Sequence, residues 1–394
     1  MPRTSRRLLK LLGIVAYTLF FGELFLRVLL PQPMVPRYVT GSADGIRANM
    51  PDVAFRQWTP EVDVIVRYNN AGMRDDRSAP PLAKPPGECR VALLGDSYFV
   101  GFESDYAHSF AKQLEDDLRA RGRHCRVLDF AVSGFGTAEM LIALQHRAVQ
   151  YHPDIVLMSW HSTDPDDNIR SNLFKLDDSG KLVATGQPFL PGIGVSDQLM
   201  RSGVYRWLIE NSQLYSAVRE RIAGLIKVLL VQARIAAARG GSAATPATSA
   251  PEEGVLPPAD ARPGSPALDN ALIFAVNDAA RAAGAKFMVF DIPARRARDA
   301  FITMRDWLSK PVLFELPVVS PIEAFRASNP NAAPIYLEHG QLHWTARGNA
   351  IAAQVAANAI IAQGWLAPTA ATTVGAVTPV ADAARRLQPQ DKPS

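Results

Sequence analysis

The sequence predicts an α/β protein built on a central parallel sheet and preceded by one membrane-spanning helix. Three observations carry this. Short apolar runs alternate with helical segments of about ten to fifteen residues, the pattern of βαβ units, over 89–169 and again after 267. The runs end in glycine or small polar residues, as strands do where they turn into helices. An almost unbroken apolar stretch, Leu11 to Leu30, follows a cluster of positive charges.

That stretch has twenty residues. At 1.5 Å per residue it spans ~30 Å, about one hydrocarbon core. Glu23 and Arg27 interrupt it four residues apart with the acid first, the favoured order for a helical pair. Arg3, Arg6, Arg7 and Lys10 precede it and carry the whole net charge of +4. They place residues 1–10 in the cytoplasm and the rest beyond the membrane. The expected location is a single-pass inner-membrane protein with its C-terminal domain in the periplasm. A cleaved signal peptide is the rival, but Leu29-Leu30-Pro31-Gln32-Pro33 offers no small-x-small cleavage site. Beyond residue 10 the chain holds 38 basic and 38 acidic side chains, so no nucleic-acid partner is expected.

Residues 31–88, rich in Pro and Arg, read as a stalk with short extended pieces. The main domain is 89–365. Strands are expected at Arg90–Leu94, Val127–Ala131 and Asp154–Trp160, with helices at Ser109–Arg121 and Thr137–Gln150 between them. Residues 170–236 break the rhythm and read as an insertion, helical over Val204–Lys227. Residues 240–266 are low-complexity and read as a flexible linker. The alternation resumes with a helix at Ala267–Ala283, strands at Lys286–Asp291 and Pro317–Val319, and a helix at Thr345–Gln363. The tail, 366–394, reads as disordered.

Two cysteines exclude a four-thiolate zinc site. Cys89 and Cys125 stand before strands that would share one sheet end if they are parallel neighbours. An oxidising compartment would allow a disulfide, the alternative being two free thiols.

Chemistry-bearing residues gather where strands end. The first strand runs into Gly95-Asp96-Ser97, which places a serine at the carboxyl edge of the sheet, where open α/β folds bind ligands. The second runs into Ser133-Gly134-Phe135-Gly136-Thr137, whose glycines suit close backbone approach. The third runs into Thr163-Asp164-Pro165-Asp166-Asp167-Asn168, most simply a solvated loop. Before the last helix stands Glu338-His339-Gly340-Gln341-Leu342-His343-Trp344, where a histidine could serve as general base. The i, i+4 pair His339 and His343 suits a metal only on a helix, which Gly340 disfavours. No metal and no cofactor are expected.

The order of these blocks resembles the SGNH/GDSL hydrolase superfamily, especially its membrane-anchored bacterial members that esterify or de-esterify polysaccharides. Asn69-Asn70-Ala71-Gly72-Met73-Arg74 resembles the lead-in motif of such members. The resemblance implies a flavodoxin-like three-layer α/β/α sandwich. It implies Ser97 as nucleophile, His343 as base, and an oxyanion hole of the Ser97 and Gly134 amides. Two positions depart from the family pattern. Thr163 stands where the oxyanion asparagine is usual, and Gly340 stands where the triad acid is usual, three residues before the histidine. Glu338, Asp96 and Asp164 are the carboxylates left to support the site. The implied function is an extracytoplasmic serine esterase or O-acyltransferase acting on an acyl ester of an envelope glycan or lipid. Its rival is a degenerate domain that binds glycan or an envelope partner without turnover.

Overall fold

The computed structural model describes residues 3–238, 266–297, 300–308, 310–328, 334–339 and 342–366. Most of the expected linker and nearly all of the tail lie outside the described residues. Helix α1 (Arg3–Leu29) is the one helix among the described residues long and apolar enough to cross a membrane. Two antiparallel hairpins follow, β1 (Val39–Gly41) with β2 (Arg47–Asn49) and β3 (Val53–Trp58) with β4 (Asp63–Tyr68). Then come β5 (Cys89–Leu94), α2 (Ser97–Val100), α3 (Phe110–Ala120), β6 (Cys125–Asp129), α4 (Thr137–His146), β7 (Ile155–Trp160) and α5 (Asp164–Ser171). The insertion contributes a hairpin, β8 (Phe174–Leu176) and β9 (Leu182–Ala184), and helices α6 (Ile193–Met200), α7 (Gly203–Asn211) and α8 (Gln213–Ala238). The chain closes with α9 (Pro266–Ala282), β10 (Lys286–Asp291), the short pair β11 (Ala294–Ala297) and β12 (Ala300–Ile302), α10 (Lys310–Glu315), β13 (Val318–Val319), α11 (Ile322–Ala327) and α12 (Ala346–Ala362).

Five parallel strands form the central sheet in the order β13-β10-β7-β5-β6. Their apolar runs are continuous because both faces are covered. Val91 and Leu93 join Ile155, Leu157, Met288 and Phe290 in a core shared with α3 and α12. Ala92 and Leu94 join Val156, Met158, Phe287 and Val289 in a second core shared with α4 and α9. This is the three-layer α/β/α sandwich. Because β5 is the first strand yet sits between β6 and β7, the strand order reverses beside it. Open α/β folds place their ligand crevice at the carboxyl ends beside such a reversal. Cys89 and Cys125 are register partners on β5 and β6 and are joined as a disulfide.

The segment 31–88 is not a stalk. Val35, Tyr38, Phe55, Val66 and Tyr68 are buried in the same core as α3 and α12, with Tyr38 stacked on Phe55 at 4.4 Å between centroids. Two of its four strands are only three residues long, and residues of the insertion share its core. Met200 and Ile209 enter that core, and Tyr38 donates its hydroxyl hydrogen to Glu210. The stretch expected as one helix over Val204–Lys227 is two, broken at Ser212.

Asp291, at the carboxyl end of β10, is buried, and burial pushes its carboxyl up to about 7. Its Oδ1 accepts from the Met304 amide at 2.9 Å. A carboxyl raised by folding stabilises the fold below its unfolded value near 3.8, and loses that contribution as pH rises through the folded value. Asp291→Asn keeps the acceptor and removes the charge. The Tm of the variant should therefore gain steadily on wild type as pH rises from about 4 to 8. A constant difference across that range would refute this.

Candidate active site

Ser97 is the first residue of α2, directly after β5 and the Gly95-Asp96 turn. A Cβ on Gly95 would stand 2.5 Å from Ser159 Oγ and 2.9 Å from the Phe99 ring, so only glycine lets the turn fold this close to β7. Asp96 accepts from the Tyr98 amide at 3.0 Å and fixes the start of α2. Ser97 Oγ lies 2.8 Å from His343 Nε2. His343 Nδ1 lies 2.5 Å from Glu103 Oε2. Hydroxyl, imidazole and carboxylate thus form one hydrogen-bonded line, and both His343 and Glu103 are buried.

Glu103 was not among the sequence candidates. It follows the serine by six residues instead of preceding the histidine, on the turn after α2. Its φ is +58°, a left-handed conformation that non-glycine residues adopt at a cost. Three contacts hold it. Its amide donates to Gln57 Oε1 of β3 at 2.8 Å. The buried Arg74 guanidinium donates to the Ser104 carbonyl at 2.9 Å, and Asn349 Nδ2 reaches Ser104 Oγ at 3.4 Å. A lone glutamate following the apolar stretch Tyr98-Phe99-Val100-Gly101-Phe102 is the one sequence signal that could have pointed to it.

His343 is set from the other side. Tyr98 donates its hydroxyl hydrogen to the Leu342 carbonyl at 3.1 Å, and Leu342 is itself left-handed, φ +58°. The Tyr98 ring meets those of His343 and Trp344 edge-on. The Leu337 amide donates to the His343 carbonyl at 2.9 Å.

Glu338 is not the acid that orients His343. Its side chain is 58% exposed and lies 3.6 Å from Arg295. The Glu338 and His339 amides instead donate to the Glu61 carboxylate, in the turn between β3 and β4, at 2.8 and 2.6 Å. His339 thus serves the loop through its backbone.

The second block bends at Gly134, φ +74°. The Val132 amide bonds the Gly95 carbonyl at 3.0 Å, which brings this bend beside Ser97. The Gly134 carbonyl accepts from Arg47 at 2.7 Å and from Arg170 at 3.1 Å. The Gly134 amide shares its peptide with the Ser133 carbonyl, which accepts from Arg47 Nη1 at 3.1 Å, and this bond sets the direction of the N–H. Neither the Ser97 nor the Gly134 amide has a hydrogen-bond partner among the described residues, so both donors are open to an anionic oxygen.

The third block is not a solvated loop. Asp164, Asp167 and Asn168 are buried on α5. Asn168 Oδ1 accepts from the Ala138 amide at 2.9 Å, and its Nδ2 donates to Asp269 at 2.8 Å. Burial pushes the Asp164 carboxyl well up, with Asp96 and Asp167 adding to it. Thr137 donates its hydroxyl hydrogen to Asp164 Oδ2 at 3.5 Å. The Thr163 hydroxyl lies 3.1 Å from His161 Nδ1, at the rim of the crevice.

No protein-family model matches the chain. The arylesterase of Vibrio mimicus is 31% identical over 137 residues, which span 32% of this chain and 68% of that enzyme. The chain belongs to the SGNH/GDSL hydrolase superfamily. Solved structures similar to this SGNH/GDSL protein include a putative acylhydrolase from Bacteroides fragilis, 11% identical, TM-score 0.32, covering 70% of this chain and 87% of that one. A GDSL-like lipase from Bacteroides thetaiotaomicron is 12% identical, TM-score 0.30, over 70% of this chain and 88% of its own.

Arg47 also pairs with Glu139, Nη2 to Oε1 at 2.9 Å, and both side chains are buried. Burial raises the Glu139 carboxyl, and the Arg47 charge opposes that. Removing one partner of a buried pair typically costs about 3–5 kcal/mol, because a charge stays unpaired. Arg47→Met should lose stability on that scale in urea unfolding, and the double variant Arg47→Met/Glu139→Met should recover at least half of it. No recovery in the double variant would mean that the loss comes from the Ser133 and Gly134 carbonyls instead.

Proposed function

We propose that this SGNH/GDSL protein is a membrane-anchored extracytoplasmic serine esterase or O-acyltransferase acting on an acyl ester of an envelope glycan or lipid. The hydrogen-bonded line Ser97–His343–Glu103 carries the reading. Ser97 Oγ attacks the acyl carbonyl while His343 Nε2 takes its proton. The carbonyl oxygen, now negative, is held by the Ser97 and Gly134 amides, with the Thr163 hydroxyl as a third donor. The alcohol leaves with the proton from His343, and the acyl group stays on Ser97. Water, or a sugar hydroxyl in the transferase case, attacks next and gives its proton to His343. The acyl group departs as acid or new ester, and the proton returns to Ser97. Glu103 keeps Nδ1 of His343 as the donor and stabilises the imidazolium. The arylesterase likeness supports ester chemistry, and α1 supports an anchor that holds the site near envelope surfaces.

The degenerate-binder reading rested on the substitutions at Gly340 and Thr163. The Glu103 carboxylate, 2.5 Å from His343 Nδ1, supports turnover against the first.

A fluorophosphonate probe on the full chain tests the roles. Ser97→Ala should abolish labelling, and His343→Ala should slow it by about 10³-fold or more. Glu103→Ala should slow it by about 10²–10⁴-fold, while Glu338→Ala should stay within about threefold of wild type. Labelling that survives Ser97→Ala, or an equal loss in the two glutamate variants, would refute the assignment.

A further inference from the structure

Glu23 lies in the middle of the apolar run, where a carboxylate is expensive unless it is partnered. Its partners come from the insertion. Its carboxylate accepts from the Ser212 hydroxyl at 2.8 Å and from the Gln213 and Leu214 amides at 3.0 Å each, so it caps the start of α8. Arg27 pairs with Glu23 at 2.7 Å and also donates to the Asn211 carbonyl at the end of α7. A Cβ on Gly22 would stand 3.4 Å from the Leu214 side chain. The corner between α7 and α8 is therefore fastened to the anchor itself.

Depth follows from this. Glu23 precedes Leu30, the end of the apolar run, by seven residues, or ~10 Å of helix. If the run spans a bilayer, the α7–α8 corner cannot stand clear of the lipid. Its surface matches that position. Val204 and Trp207, one turn apart on α7, are 77% and 61% exposed. On α8, Leu214 faces the anchor, and Val218, Ile222, Leu225 and Leu229 continue the same helical face, all exposed. Arg201, Arg206 and Arg221 are exposed beside this face. Apolar side chains with tryptophan on one face and arginines at its margin are what an interfacial helix presents to anionic lipid.

We propose that the insertion is a membrane-seated foot: Glu23 and Arg27 clamp the α7–α8 corner to the anchor, and the exposed faces of α7 and α8 rest in the adjoining leaflet. The proposal rests on α1 being a membrane anchor. The occupant of this apolar surface is lipid, because the surface is continuous with α1 and fastened at its depth.

The test uses the full chain in vesicles of phosphatidylethanolamine and phosphatidylglycerol. An environment-sensitive fluorophore is attached to Trp207→Cys, Ile222→Cys or Leu225→Cys, the native cysteines being paired. Phe20→Cys on α1 reports the anchor, and Asp116→Cys on α3 reports the water-facing side. Spin-labelled lipid should quench the three foot labels about threefold or more above the Asp116 label. Adding Glu23→Ala should bring them toward the Asp116 level while leaving Phe20 quenched. Foot labels no more quenched than Asp116, with Phe20 strongly quenched, would overturn the foot and leave the anchor standing. Foot labels shielded by a second copy of the chain, seen as cross-linked dimers without lipid quenching, would also overturn it. An unquenched Phe20 label would overturn the anchor and the foot together. Quenching unaffected by Glu23→Ala would overturn the clamp.

Discussion

Burying Glu103 against His343 sets two physical demands. A carboxylate leaves water, and a non-glycine residue takes a left-handed backbone, which costs about 1–2 kcal/mol. Neither persists unless the surroundings over-determine it. Those surroundings are specific. Gln57 holds the Glu103 amide, Arg74 holds the next carbonyl, and Asn349 reaches the Ser104 hydroxyl. The imidazole Nδ1 supplies a hydrogen-bond partner at 2.5 Å. An acid on the turn after the serine's own helix also frees the loop before His343 from supplying one. That loop carries Gly340 and an exposed Glu338, and its backbone is pinned instead by Glu61.

Seen this way, the segments outside the sheet have a shared task. Gln57, Glu61 and Arg74 all lie in 31–88, and each fixes a loop of the site. Met200 and Ile209 from the insertion share the core of that segment. On the other side of the crevice Arg47, again from 31–88, holds the Ser133 carbonyl and with it the Gly134 amide, and joins Arg170 on the Gly134 carbonyl. Both guanidiniums lie over the Phe189 ring at the edge of the insertion.

Much of the sandwich was legible in the sequence because a parallel sheet covered on both faces needs continuous apolar runs, and the helices between them keep a period. The blocks at strand ends were legible for the same reason: the sheet delivers them to one edge. Boundaries moved by a residue or two where caps decide them, as at Ser109 and Thr345, each of which accepts an amide of the helix that follows. What could not be read depends on contacts distant in sequence. Glu103 is an ordinary loop residue until Gln57, Arg74 and His343 surround it. Asp164 and Asp167 read as solvated because nothing local reveals that α5 is buried against α4 and α9. The stretch 31–88 reads as a stalk because the residues that share its core, on α3, α12 and the insertion, are distant in sequence.

These contacts run without a gap from the anchor to the acid. Glu23 caps α8, and Gln213 and Ser216 of α8 bond the backbone of Gln32 and Pro33. Met34 pairs with Trp58 through two backbone hydrogen bonds, and Gln57 beside it holds Glu103. Spatial continuity of this kind is not evidence of allosteric coupling. It does bear on geometry. Under the proposed anchoring, a flexible stalk would let the crevice sample many heights above the membrane, whereas a chain fastened at Glu23, folded through 32–58 and closed on Glu103 would give it one. An enzyme held at a fixed height discriminates by reach before it discriminates by shape. Under that proposal, the constraint would favour esters that present themselves at the lipid surface over those free in solution.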